Sequence, residues 1–354
     1  MVGVSSRHVG RAEPPLRPKA PEAKRKVVTA RRVTRAKRRR ASAIFAPELL
    51  VAESQEYYGQ GSVPELRWRD DACGIYLYEG DSLLLLEQIH SKYPEGIFDL
   101  IFADPPYFLS NGGITCHAGR MVSVDKGEWD RLESVDRMHA FNSAWLSACQ
   151  RALKPDGTIF VSGTSHVIHS LGFAMQQLDF KILNDITWVK PNPPPNLSCR
   201  YFTHASETIL WAAKNRRSRH KFNYARMREL CGQRQMKSVW YDIRWDDEDV
   251  QVVLEMLPPA KEEKAFGKHP TQKPVKLLER LIVAASDQGD SVFDPFMGSG
   301  TTAVAAAGLS RRFVGCELDR AYVDISINRV RLLGTQARMA FEPQRRGSEA
   351  CGPL

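Results

Sequence analysis

Two short stretches hold residue types that can do chemistry at defined spacing. In the first, Leu100-Ile101-Phe102-Ala103-Asp104-Pro105-Pro106-Tyr107, an apolar run ends in a carboxylate, two prolines and an aromatic ring. An ionised carboxylate only accepts hydrogen bonds. The prolines fix φ and lack N–H groups, so they make a rigid turn whose carbonyls face away from a strand ladder. Asp104 and the Pro105 carbonyl can together receive the two protons of an exocyclic NH2 group. Tyr107 offers a flat face for a base, a contact worth about 1–3 kcal/mol. Taken alone, D-P-P is equally a strand-end turn with a satisfied aspartate.

The second stretch is Val292-Phe293-Asp294-Pro295-Phe296-Met297-Gly298-Ser299-Gly300-Thr301-Thr302. A strand ends in an acid, a glycine-containing loop follows, and a helix begins. Glycines let backbone approach a ligand closely, and a helix start offers N–H donors. Glu317 closes the next strand, Phe313-Val314-Gly315-Cys316-Glu317. An acid about 20 positions after such a loop suits the hydroxyls of a ribose. The pair fits a nucleoside cofactor of any kind. No lysine follows the second glycine, which disfavours a triphosphate-cradling loop.

The elements that must position these residues alternate. Ile75–Tyr78 reads as a strand ending at Gly80-Asp81, Leu83–His90 as a helix and Phe98–Ala103 as a buried strand. Phe141–Leu153 is an amphipathic helix, Lys154-Pro155-Asp156-Gly157 a turn, and Thr158–Ser162 a strand. A helix over His166–Leu178 and strands over Ile182–Val189 and Thr208–Ala213 follow, the last two separated by a proline-rich loop. The spacing then predicts helices at Val275–Ser286, Thr301–Ala307 and Tyr322–Leu333, with strands at Ser291–Phe293 and Phe313–Glu317 between them. Such alternation implies a mostly parallel sheet covered on both faces. Ligands of such sheets sit beyond the carboxyl ends of the strands, at the switch point. Asp81, Asp104 and Asp294 all fall at strand ends. Trp129, Trp188 and Trp211 suit the core better than a base-stacking role.

Charge and composition bound the rest. The chain has 354 residues and a net charge of +9. Residues 1–40 hold 14 Lys and Arg against Glu13 and Glu22, so the basic character belongs to this segment and the body is slightly acidic. Residues 1–42 are too poor in large apolar side chains to offset their ordering entropy. They read as a disordered basic arm, suited to tethering phosphate backbone, to solubilising the chain or to targeting it. Residues 215–265, with mixed charge and weak periodicity, are the expected target-recognition insertion, and 335–354 a C-terminal tail. No apolar run approaches the roughly 20 residues of a membrane span, so the expectation is a soluble, cytoplasmic protein. The seven cysteines form no C-x-x-C pair, which points to free thiols and no metal site.

Taken together, these residues resemble the amino-methyltransferases of restriction–modification systems. In that family a D/N/S-P-P-Y/F motif binds the target base and an F-x-G-x-G motif binds S-adenosylmethionine. The order found here, base motif first, resembles the β group. So does His269-Pro270-Thr271-Gln272-Lys273-Pro274, which in the family helps hold the methionine end of the cofactor, and so does Gly80-Asp81, whose aspartate contacts the adenine ring. Asn192–Trp211 and Asp104–Trp129 look like the DpnA-type adenine methyltransferases. The resemblance covers residues 72–334. It implies a Rossmann-like class I methyltransferase fold with a mostly parallel seven-stranded sheet and permuted motif order. It implies a catalytic set of Asp104, Pro105, Pro106 and Tyr107. The implied cofactor set is Asp81, His269, Thr271, Gln272, Lys273, Asp294, Pro295, Phe296, Gly298, Ser299, Gly300, Thr301 and Glu317.

Lys190, Asn192 and Arg200, on the proline-rich loop, suit DNA contacts or simply a solvated loop. The expected reaction is direct methyl transfer from S-adenosylmethionine to N6 of an adenine flipped out of DNA, double-stranded or single-stranded. Expected partners beyond DNA are a second copy of the chain and a cognate restriction endonuclease, with no membrane. N4-cytosine methylation is the nearest alternative. Methylation of a protein glutamine amide fits less well, because N-P-P-Y is usual there. A DNA-binding remnant without catalysis is the non-enzymatic reading.

Overall fold

The computed structural model describes residues 63–107, 114–117, 120–123, 134–190, 193, 195–196, 198–240, 265–267 and 271–341. The expected basic arm, Trp129, Asn192, His269 and residues 241–264 of the expected recognition insertion lie outside these residues.

A nine-stranded sheet forms the centre. In chain order its strands are β1 (Glu65–Asp70), β2 (Ile75–Glu79), β3 (Phe98–Ala103), β6 (Leu153–Gly163), β7 (Lys181–Val189), β8 (Ser206–Ala213), β9 (Val239–Trp240), β10 (Ser291–Asp294) and β11 (Arg312–Glu317). Strands β4 (Ile114–His117) and β5 (Arg120–Ser123) pair separately as an antiparallel hairpin. The spatial order is β1-β2-β11-β10-β3-β6-β8-β7-β9, with β1 and β8 running against the others. Nine strands replace the seven expected. The additional β1 reads Glu-Leu-Arg-Trp-Arg-Asp, is largely exposed, and has no apolar run to announce it. It pairs with β2 through backbone and through the Arg67–Glu79 ion pair at 2.7 Å. The two-residue β9 adds to the far edge beside β7.

Alternation along the strands divides the core. Ile101, Ala103, Ile159, Val161 and Phe293 face one side, with Leu85 of α1 (Ser82–Lys92), Trp145 of α2 (Val135–Ala152) and Leu171 of α3 (Ile168–Gln177). Leu100, Phe102, Phe160 and Val292 face the other. There they meet Leu277 and Leu281 of α5 (Val275–Ala285), Ala303 of α6 (Thr301–Gly308) and Val323 of α7 (Arg320–Phe341). A short helix α4 (Tyr224–Leu230) buries Met227 on this side as well. Trp188 and Trp211 are core residues. Covering both faces leaves only strand ends free to meet a ligand.

The Lys154–Gly157 turn is present but lies inside β6. The ladder with β3 pairs Leu153 with Phe98 and resumes with Thr158 opposite Leu100, so four residues bulge out opposite Asp99. Helix α7 begins two residues earlier than the pattern suggests and runs on to Phe341. Among the described residues no helix is long and apolar enough to cross a membrane.

The chain turns one way after β3, towards β6, and the other way after β10, towards β11. Between these neighbours lies the switch point, and β3 and β10 are paired in parallel with Ile101 opposite Phe293. Asp104 and Asp294 therefore leave adjacent strands at the same edge of the sheet.

Candidate active site

The turn after β10 is built to approach a ligand. Gly298 and Gly300 hold left-handed φ of 52° and 76°, which side chains rarely adopt. At Gly300 a Cβ would also sit 2.7 Å from Ser326 Cβ. Helix α7 fixes the turn from behind. Ser326 Oγ donates to the Gly298 carbonyl at 2.9 Å, and Arg329 Nη1 donates to the Ser299 carbonyl at 2.8 Å and to Thr301 Oγ1 at 3.0 Å. Helix α6 starts at Thr301, so its amino end faces the cleft.

Three carboxylates surround this turn. Glu317 accepts from the Gly298 amide at 2.8 Å and the Asp319 amide at 2.9 Å. Asp294 accepts from the Phe296 amide at 3.0 Å and the Thr302 hydroxyl at 2.5 Å. Asp81 caps α1, accepting from the Leu83 amide at 2.8 Å. Burial raises all three carboxyls against the opposing pull of these hydrogen bonds, Asp294 to about 7. Each carboxylate oxygen has room for about two donors. Glu317 thus keeps acceptor capacity for a pair of hydroxyls.

The opposite wall belongs to Asp104. Its Oδ1 accepts from the Tyr107 hydroxyl at 2.6 Å and from Ser162 Oγ, and its Oδ2 accepts from Lys273 Nζ at 2.5 Å. Lys273 also lies 3.1 Å from the Tyr107 oxygen and 3.6 Å from Glu207 Oε2. Burial pushes the Asp104 carboxyl up, but the Lys273 charge and three side-chain donors outweigh it and hold the group below its ordinary range. Burial pulls Lys273 down, while Asp104 and Glu207 more than compensate and keep its ammonium charged. Burial and then the Asp104 charge push the Tyr107 phenol well up, so it stays a donor.

A cleft of about 550 Å³ joins the two walls, within the range of small-molecule sites. Asp104, Pro105, Pro106 and Tyr107 line it. So do Asp81, Thr271, Gln272, Lys273, Asp294, Pro295, Phe296, Gly298, Ser299, Thr301 and Glu317. Gly300 shapes the turn without lining the cleft. Lys190 stands at the root of the β7–β8 loop, paired with Glu207, and Arg200 is exposed on that loop. Neither lines the cleft. That loop leaves the sheet at the edge where the cleft opens, because β7 runs in the direction of β6. Buried Cys149 and Cys316 have thiols pushed up by burial, so neither supplies a thiolate.

Sequence reasoning missed Ser162, Glu207 and Arg329. Ser162 is a polar residue closing the apolar run Ile159-Phe160-Val161, and Glu207 is a lone acid opening the run to Ala213. Both were visible as polar interruptions of buried strands. Nothing in the local pattern marks Arg329, whose partners lie about 30 residues away.

Comparison with known proteins agrees with this geometry. The DNA methylase family model, which groups N6 and N4 methyltransferases, matches residues 98–328. The Type II methyltransferase M2.DpnII of Streptococcus pneumoniae is 51% identical over 241 residues, covering 68% of this chain and 85% of that protein. The Type II methyltransferase M2.LlaDCHI of Lactococcus lactis subsp. cremoris is 50% identical over 255 residues, covering 72% and 88%. Among solved structures, the PvuII DNA methyltransferase (cytosine-N4-specific) aligns with a TM-score of 0.52 at 23% identity, over 72% of this chain and 86% of that one, and speaks to the fold. With the base motif and the glycine turn on adjacent strand ends and the family match spanning both, the chain belongs to the DNA methylase family, whose members use S-adenosylmethionine to methylate amino groups of DNA bases.

Proposed function

We propose that this enzyme methylates N6 of adenine in a short DNA site, with Asp104 receiving the amino group. The observation that carries the reading is the position of an ionised, buried Asp104 on the strand beside the glycine turn. S-adenosylmethionine supplies a methyl group on a positively charged sulfur. Glu317 takes the ribose hydroxyls, Asp81 the adenine ring, and the turn at Gly298–Gly300 with Thr271, Gln272 and His269 the methionine end. The target base leaves the stack to enter the cleft, where Tyr107 stacks on it. Asp104 and the Pro105 carbonyl orient the NH2 protons and localise the nitrogen lone pair. As the N–C bond forms and the C–S bond breaks, the nitrogen becomes positive and its proton acidic. A carboxylate about 4 Å from that charge, at an effective dielectric near 20, stabilises it by about 4 kcal/mol, or roughly a thousandfold in rate. The acidified proton then leaves the nitrogen towards Asp104 and solvent.

Adenine is favoured over cytosine by the aspartate at the first position of the base motif and by the DpnA-like stretches around residues 104–129 and 192–211. The M2.DpnII relative, at half of all aligned positions, supports the same restriction–modification setting. In this reading Lys190, Asn192 and Arg200 contact the DNA backbone, and residues 215–265 read the site. The catalytic unit spans 72–334, flanked by the tail at 335–354 and by a basic arm at 1–42 that tethers DNA. The enzyme works in the cytoplasm on nucleoid DNA, as a dimer, beside an endonuclease of the same specificity. Mapping modified positions in DNA from cells expressing the gene tests it. Methylated adenines within one fixed short sequence are expected; methylated cytosines, or an unchanged genome, would overturn it.

A further inference from the structure

Glu207 belongs to none of the motifs and does not line the cleft, yet it is the second residue of β8, only 6% exposed and directly behind Lys273. It stands between two lysines. Its Oε1 pairs with Lys190 at the root of the β7–β8 loop. Its Oε2 lies 3.6 Å from Lys273 Nζ, beyond hydrogen-bonding distance, and accepts no hydrogen bond among the described residues. A buried carboxylate oxygen without a donor is costly, so this position calls for a donor in some other state of the enzyme. Lys273 is placed to be that donor. In the state described, its ammonium is instead held at 2.5 Å by Asp104 Oδ2.

That state is poorly suited to transfer. Asp104 Oδ1 already accepts from Tyr107 and Ser162, and Oδ2 from Lys273. Three of roughly four acceptor positions are taken. A lysine charge at that spot also repels the positive charge that grows on the target nitrogen.

We infer that Glu207 is a positioning residue that draws the Lys273 ammonium off Asp104 when the target amino group arrives, freeing Oδ2 and removing a like charge from the reacting nitrogen. A movement of about 1 Å brings Lys273 into normal charge-assisted bonding distance of Oε2. Lys190 couples this step to DNA. When Lys190 turns from Glu207 to a phosphate, the whole Glu207 charge becomes available to Lys273. The free enzyme thus keeps its carboxylate capped, and engagement of the loop uncaps it.

The inference rests on the reading of Asp104 as the acceptor of the amino group, and the test separates the two. Single-turnover methyl transfer, KM for DNA and Kd for S-adenosylmethionine are measured for wild type, E207Q, E207D, K273Q, E207Q/K273Q and D104A. E207Q is expected to lower the transfer rate by about 10–100-fold while KM and Kd stay within about threefold. E207D, which keeps the charge, recovers most of that loss. Adding E207Q to K273Q costs less than about twofold more, because Glu207 acts through Lys273. Thermal unfolding of each variant identifies any that fails to fold, and the comparison of K273Q with the isosteric neutral pair E207Q/K273Q then decides. A wild-type rate in E207Q, or losses that multiply in the double variant, would overturn the inference. Activity persisting in D104A would instead defeat the underlying reading.

Discussion

On the proposed cofactor wall, Glu317, Asp294 and Asp81 each receive backbone amides, from Gly298 and Asp319, Phe296, and Leu83, with the Thr302 hydroxyl as a side-chain donor to Asp294. On the base wall, Asp104 is held by the side chains of Tyr107, Ser162 and Lys273. Backbone donors are fixed by the fold and stay when a ligand arrives. Side-chain donors exchange partners at little cost. In the proposed reading the cofactor wall is therefore preorganised for one constant ligand, while the base wall is satisfied in its free state and re-paired when a base enters. The two carboxylates that leave adjacent strands also diverge in charge. Burial drives Asp294 towards its neutral form, whereas Lys273 keeps Asp104 ionised.

The largest effect that would break this division is at Asp104. D104A is expected to lower the transfer rate by about a thousandfold or more and to leave S-adenosylmethionine affinity within a few-fold. Equal losses of both, by single turnover and calorimetry, would make the two walls one unit. Next in size is Glu317. E317A should weaken cofactor binding by roughly 10–100-fold, as loss of a charge-assisted pair of bonds implies, with a near-normal transfer rate once cofactor saturates. A collapsed rate at saturation would show that the cofactor wall does more than bind.

A smaller effect concerns pH. The Asp294 carboxyl titrates at about 7 in the folded protein against an ordinary 3.8. Folding therefore retains a proton that the unfolded chain loses across this window. The stability it contributes is full below about 3.8 and is lost as pH rises to about 7. Urea midpoints should fall less between pH 4 and pH 7 in D294N than in wild type; parallel falls would refute the shift. Smallest at the site itself is the basic arm. Removing residues 1–42 should flatten the salt dependence of DNA affinity while leaving the transfer rate of bound complexes unchanged.

The central strands and both motifs were legible because buried parallel strands are continuous apolar runs, and because the β3 and β10 runs each lead into an aspartate followed by proline. Phe98–Ala103 has the bounds its pattern suggests. Strand β1 was illegible since it is an exposed, charged edge held by backbone pairing, which leaves no hydrophobic signature. The β4–β5 hairpin was likewise missed. At the site, motif residues announced themselves by spacing, but the Lys273–Asp104 and Arg329–Ser299 contacts join positions far apart in the chain. Such pairings follow from topology, and no local pattern encodes them.

Purified enzyme is given DNA and S-adenosylmethionine with an isotope-labelled methyl group, and the digested nucleosides are identified by mass. Label is expected in N6-methyl-2′-deoxyadenosine with wild type, and none with D104A although that variant still binds the cofactor. Label in N4-methylcytosine, or label in adenine that persists without the Asp104 carboxylate, would contradict the proposed reaction.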